Sequence, residues 1–136
     1  MAQRTVNNPP FGWRTFGKIV DDITELFGLV DTNYKTYNAL LNQSGGSAPV
    51  STILLNTLSG TPVYASAGPG VYTITLHNEF IQDKTTITIG PGNSSGVIYG
   101  WEWNSKNMLT IFSLNSSGTK VDNLFSNTTI EIKVYN

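Results

Sequence analysis

One imidazole, five scattered carboxylates and a stripe of three aromatic rings are what the C-terminal part of this chain offers for chemistry. His77 is the only histidine. It closes a strand-like run on the face of Thr73 and Thr75, which suits a surface or interface position better than a general base. There is no cysteine, so thiolate chemistry and a disulfide framework are excluded. Metal binding would fall to carboxylates. Asp21 and Asp22 read as a solvated face, and Glu79 and Asp83 flank a loop without filling a recognised calcium-loop pattern. A glycosidase needs two carboxyl groups across a cleft. From residue 50 onward the candidates are Glu79, Asp83, Glu102, Asp122 and Glu131. Glu102 sits between Trp101 and Trp103, but strand alternation puts it on the face opposite both. The stripe of Tyr99, Trp101 and Trp103 has two readings. Exposed, it is a platform for sugar rings; turned inward, it fills a core. Core filling is the expectation taken here. No enzymatic activity, metal or cofactor is expected.

The elements that would position these residues follow from periodicity. From Val50 to Tyr135, runs of alternating residues are separated by marked turns. The runs are Val50–Asn56, Pro62–Ser66, Val71–His77, Thr85–Ile89, Val97–Trp103, Met108–Leu114 and Thr128–Tyr135. Ser59-Gly60, Ala67-Gly68-Pro69-Gly70, Gly90-Pro91-Gly92-Asn93 and Asn115-Ser116-Ser117-Gly118 punctuate them. Seven short strands at this spacing predict a small antiparallel β-sandwich of jelly-roll-like type over residues 50–136.

The N-terminal part reads differently. Residues 1–14 are a polar, extended segment in which Phe11 and Trp13 follow Pro9 and Pro10. The prolines limit the unbound conformations, and aromatic anchors suit a pocket, so a docking segment is expected. The alternative is that Phe11 and Trp13 cap a helical bundle. Residues 15–43 predict one helix with Thr15 as its N-cap. Phe16, Ile23, Val30 and Tyr37 fall at heptad position a, and Ile19, Leu26, Asn33 and Leu40 at d. Val20, Phe27, Tyr34 and Leu41 make the e positions apolar as well. That stripe is wider than a dimer seam needs and suggests a homo-oligomer of three helices. The alternative is a monomer whose helix packs on its own sheet. Residues 44–49, Ser-Gly-Gly-Ser-Ala-Pro, read as a flexible linker. The expected whole is mainly β, with an N-terminal coiled-coil helix.

Composition fits an assembly protein. The chain has 136 residues, a net charge of −1 and only 12% charged residues. Thr, Asn and Ser, at seventeen, fourteen and twelve copies, take the place of charge. Few charges then need desolvating when like surfaces meet. The eight basic residues are scattered, which leaves no patch for nucleic acid. No run approaches the roughly 18 apolar residues of a membrane span, so membrane insertion is not expected. Nor is there an apolar secretory segment after Met1. The sequons at Asn42, Asn93, Asn115 and Asn127 reflect the Asn/Ser/Thr-rich composition.

Several stretches carry a resemblance. Thr52–Leu58, Thr61–Tyr64, Gly68–Leu76 and Lys84–Asn93, with the closing Thr129–Tyr135, resemble a small β domain of virion structural proteins of tailed phages, including crAss-like phages and others infecting Bacteroidetes. The resemblance covers roughly residues 52–135 and carries no catalytic signature. It implies a head-fibre, capsid decoration or tail-fibre component, usually trimeric and held to a larger virion or capsid assembly by its N-terminus. It implies a location in the virion after synthesis in the host cytoplasm. The alternative function is a receptor- or carbohydrate-binding tip of a tail fibre that meets a host surface glycan.

Overall fold

The computed structural model describes residues 33–136. The expected docking residues Pro9, Pro10, Phe11 and Trp13 lie outside the described residues. So does the apolar stripe Phe16, Ile19, Val20, Ile23, Leu26, Phe27 and Val30.

Eight strands follow: β1 (Tyr34–Asn42), β2 (Val50–Asn56), β3 (Val63–Gly68), β4 (Val71–Thr75), β5 (Thr85–Ile89), β6 (Ile98–Ser105), β7 (Met108–Leu114) and β8 (Thr128–Tyr135). They form two four-stranded sheets, ordered β2-β1-β8-β5 and β3-β4-β7-β6. Every pairing is antiparallel. The hairpins β1–β2, β3–β4 and β6–β7 stay within a sheet, and the other connections cross between sheets. The packed sheets form a β-sandwich, as the alternating runs and turn residues predict. All seven expected strands are present, with ends shifted by a few residues at most.

The eighth strand corrects the helix expected over residues 15–43. Its last part, Tyr34–Asn42, is β1, a central strand bonded to β2 on one side and β8 on the other. Tyr37, Ala39 and Leu41 are buried at period two. Opposed to β8, they meet Ile132, Ile130 and Thr128. Tyr37 and Leu41 therefore lie in the sandwich core rather than on an oligomer seam. Leu40 is half-buried on the other face, and Asn33 is exposed just ahead of β1. The strand wins because nine residues gain two hydrogen-bonded neighbours and an apolar layer at once, and such tertiary gains outweigh local helix preference.

The expected Gly/Ser linker is likewise the β1–β2 loop, closed by its own hydrogen bonds. Gln43 is buried. Its Nε2 donates to the carbonyl oxygens of Gly45 and Ser47, and its Oε1 accepts from Asn123 N at 2.6 Å. The amide of Gly45 donates to Asn123 Oδ1 at 2.7 Å. One buried amide side chain thus ties this loop to the loop between β7 and β8.

Between the sheets lies one apolar cluster. The first sheet supplies Tyr37, Ala39, Leu41, Ile87, Ile130, Ile132 and Val134, and the second supplies Tyr72, Ile74, Leu109 and Ile111. Leu58, Phe80 and Phe125 complete it from the connections between strands. At Gly70, with φ of 65°, an added Cβ would come within 2.5 Å of Ser113 O. The tight β3–β4 turn therefore requires glycine there.

Candidate functional site

Two of the five candidate carboxylates, Glu79 and Asp122, are committed to structure. Glu79 is 2% exposed, although the sequence gives it no apolar partner pattern. Lys35 of β1 places its ammonium 2.8 Å from Glu79 Oε2. Ser59, between β2 and β3, donates to Oε1 from its amide at 3.0 Å and from its hydroxyl. Burial alone would raise the Glu79 carboxyl, but the Lys35 ammonium and the Ser59 donors outweigh it and hold the group below its ordinary value. The carboxylate thereby joins the start of β1, the β2–β3 turn and the β4–β5 connection.

Asp122 does the same job at another loop. It accepts the Gly70 amide at 2.9 Å and the Tyr72 hydroxyl at 2.6 Å. These donors, the Gly70 amide first, depress the Asp122 carboxyl. Burial first, and then the bond to Asp122, raise the Tyr72 phenol. Both carboxylates are held below their unfolded values, so both contribute stability above those values and lose it as pH falls through the folded ones. The melting temperature should hold steady near neutrality and drop once the pH passes below about 4.5, the ordinary value for Glu79. A Glu79→Gln variant should melt lower at pH 7 and show a shallower acid slope. A thermal-melt series from pH 7 to pH 3 checks this, and parallel slopes for the two proteins would remove Glu79 as the cause.

The aromatic stripe faces inward. Tyr99, Trp101 and Trp103 are half-buried and pack on the core cluster from β6. Two of the three have internal polar partners: the Tyr99 hydroxyl donates to Leu124 O at 3.1 Å, and Trp103 Nε1 to Phe80 O at 3.2 Å. Glu102 points to the opposite face and is exposed, bonded to Asn104 at 3.2 Å. His77 is exposed beside Asn78. Tyr34 stacks obliquely on Tyr135 with ring centroids 5.3 Å apart, and the Lys133 ammonium lies 4.7 Å from its ring centre. Among the described residues, no three His, Asp or Glu side chains converge on a point that could hold a metal ion.

Gly92-Asn93-Ser94-Ser95-Gly96 fits the Gly-x-Ser-x-Gly letters of a nucleophile elbow. The elbow needs a strand that feeds a helix, which presents the serine at a sharp turn. Here the segment joins β5 to β6, two strands in different sheets. The letters match without the geometry.

Among the described residues, depressions lie at two places of interest. One, of about 680 Å³, lies between the β1–β2 and β7–β8 loops and includes Asn42, Gln43, Asn123 and Phe125. Its amides largely bond to one another: Asn42 Nδ2 donates to Asn127 Oδ1 at 3.2 Å, and Gln43 is engaged at both ends. The other, of about 330 Å³, is a more apolar hollow beside Leu54, walled by Asn38, Ala39, Thr88, Ile130 and the carboxylate-bearing Glu131 among others. Next to it runs β2, an edge strand. Its Val50, Ile53, Leu54 and Leu55 are between 41% and 69% exposed. Period-two reasoning finds this strand but not its exposure, because an apolar run reads as buried unless its place in the sheet is known. Comparisons with protein-family models, curated proteins and solved structures find no match to this chain.

Proposed function

We propose that this chain is a non-enzymatic structural component of a tailed-phage virion, a trimeric head-fibre or decoration protein that docks to the particle through residues 1–14. The observation that carries this reading is the use of the sandwich's reactive groups. Glu79, Asp122, Tyr99 and Trp103 spend their hydrogen bonds on joining loops to strands. A domain built that way serves as a rigid body for assembly. The sparse charge of the chain and the resemblance over residues 52–135 support the same reading. The apolar stripe from Phe16 to Val30 supplies the self-association element, now shorter because Tyr34 onward belongs to the sandwich.

Two measurements test the reading. Sedimentation of the full chain should give about 44 kDa, three times the 14.8 kDa chain. Ile23→Asp with Leu26→Asp should reduce that to the monomer, because a buried unpaired charge costs several kcal/mol. A monomeric parent chain at micromolar concentration sinks the trimer. Antibodies against the full chain should label intact tailed particles; label confined to the soluble lysate sinks the virion role.

A further inference from the structure

We infer that β2 is a contact between copies of this chain, in which the strands of neighbouring copies meet across the assembly axis with their Leu54 side chains together. This rests on the oligomeric reading above and adds to it an interface within the sandwich.

Soluble edge strands are usually blunted by charges, by proline or by a cover, because their unpaired backbone invites another chain. The edge at β2 is treated otherwise. Val50-Ser-Thr-Ile-Leu-Leu-Asn56 carries no charge and no proline. Register with β1 puts Ile53 opposite Ala39 on the core side and Leu55 opposite Asn38 on the outer side, with an irregularity between them at Leu54. Apolar side chains therefore leave the strand in more than one direction. No other strand of the sandwich exposes more than one large apolar side chain, Val63 on β3 and Ile98 on β6.

The identity of the occupant follows from charge. No Asp, Glu, Lys or Arg occurs between Lys35 and Glu79, a span that holds most of β1 and all of β2, β3 and β4. β2 itself offers a charged partner nothing to pair with, and the charge beside it is Glu131 of β8, which lines the hollow next to Leu54. A second copy brings the same uncharged strand, so β2 meets β2 without repulsion and with no charge on either strand to desolvate. The hollow of about 330 Å³ beside Leu54 leaves room for an aliphatic side chain of the neighbouring copy.

The absence of cysteine from the chain makes the test direct. Leu54→Cys and Ser117→Cys would each give a full-length chain with a single thiol. Ser117 is exposed in the β7–β8 loop. Under a mild oxidant, Leu54→Cys should form disulfide-linked dimers at least roughly tenfold faster than Ser117→Cys, because a contact raises the effective thiol concentration. Equal rates overturn the β2 contact. If equal rates accompany a chain that sediments as an oligomer, the oligomeric reading stands and β2 is removed from its interface. If they accompany a monomer, both fall. Leu54→Asp in the full chain is the second variant: it should lower the sedimenting mass or raise the concentration needed for assembly, with the melting profile of the sandwich kept. An unchanged mass across the concentration range also overturns the contact.

Discussion

A chain trimmed to residues 50–136 should fail to fold, whereas one trimmed to residues 33–136 should fold cooperatively. The trim at residue 50 follows the domain boundary that the Gly/Ser stretch suggests. It removes β1, the strand between β2 and β8. Tyr37, Ala39 and Leu41, each at most 1% exposed, leave the core with it. Two of these are large, and burial of a large apolar side chain contributes about 1.5–3 kcal/mol. The loss also strips β2 of its only neighbour and β8 of one of two. Lys35 goes too, which leaves the buried Glu79 carboxylate without its cation. Against a total stability of about 5–15 kcal/mol for a domain, these losses together leave nothing. Far-UV circular dichroism and a urea titration of both chains check the point. A sigmoidal transition from residues 50–136 alone would show that β1 is dispensable.

The boundary was hard to see for a physical reason. Tyr34, Tyr37 and Leu41 are spaced three and four apart, as a helical seam requires, while Tyr37, Ala39 and Leu41 are spaced two apart, as a strand requires. A short stretch can satisfy both periods, and tertiary pairing then decides. The seven later strands were legible because Gly, Pro and Asn turns delimit them and because alternation such as Ile130-x-Ile132-x-Val134 matches only one period. The inward aromatic stripe was legible for the same reason: alternation separates Glu102 from the tryptophans. What periodicity cannot find are core residues outside strands. Leu58, Phe80 and Phe125 are buried in connections, where no repeat predicts the direction of a side chain. Nor could it find Glu79 as a structural carboxylate, since Lys35 and Ser59 are distant in sequence and approach only when the sheets assemble. The exposure of β2 was hidden too, because strand order decides which apolar strand becomes an edge.

Phe125→Ala should destabilise the sandwich by about 3–5 kcal/mol, the usual cost of emptying a buried phenylalanine site. Phe125 belongs to the β7–β8 connection yet is only 2% exposed. Its ring stacks near-parallel on Tyr99 of β6 with centroids 5.4 Å apart and meets Tyr72 of β4 edge-on at 5.5 Å. Its carbonyl accepts the Gln43 amide at 3.0 Å, so the first sheet's β1–β2 loop is tied to the same point. The neighbouring Asn123 and Asn127 have φ of 66° and 46°, left-handed backbone that asparagine tolerates better than most residues. Hydrogen bonds fix both, from Asn123 N to Gln43 Oε1 at 2.6 Å and from Asn127 N to Asn42 Oδ1 at 2.9 Å, so the surrounding loop cannot simply collapse into the vacated space. Leu55→Ala on the exposed edge is the matched control, for which a change within about 0.5 kcal/mol is expected in an isolated chain. Urea unfolding of each variant in the background of Ile23→Asp with Leu26→Asp keeps assembly out of the measurement. A loss below about 1 kcal/mol for Phe125→Ala would mean that the β7–β8 connection is not anchored by this ring.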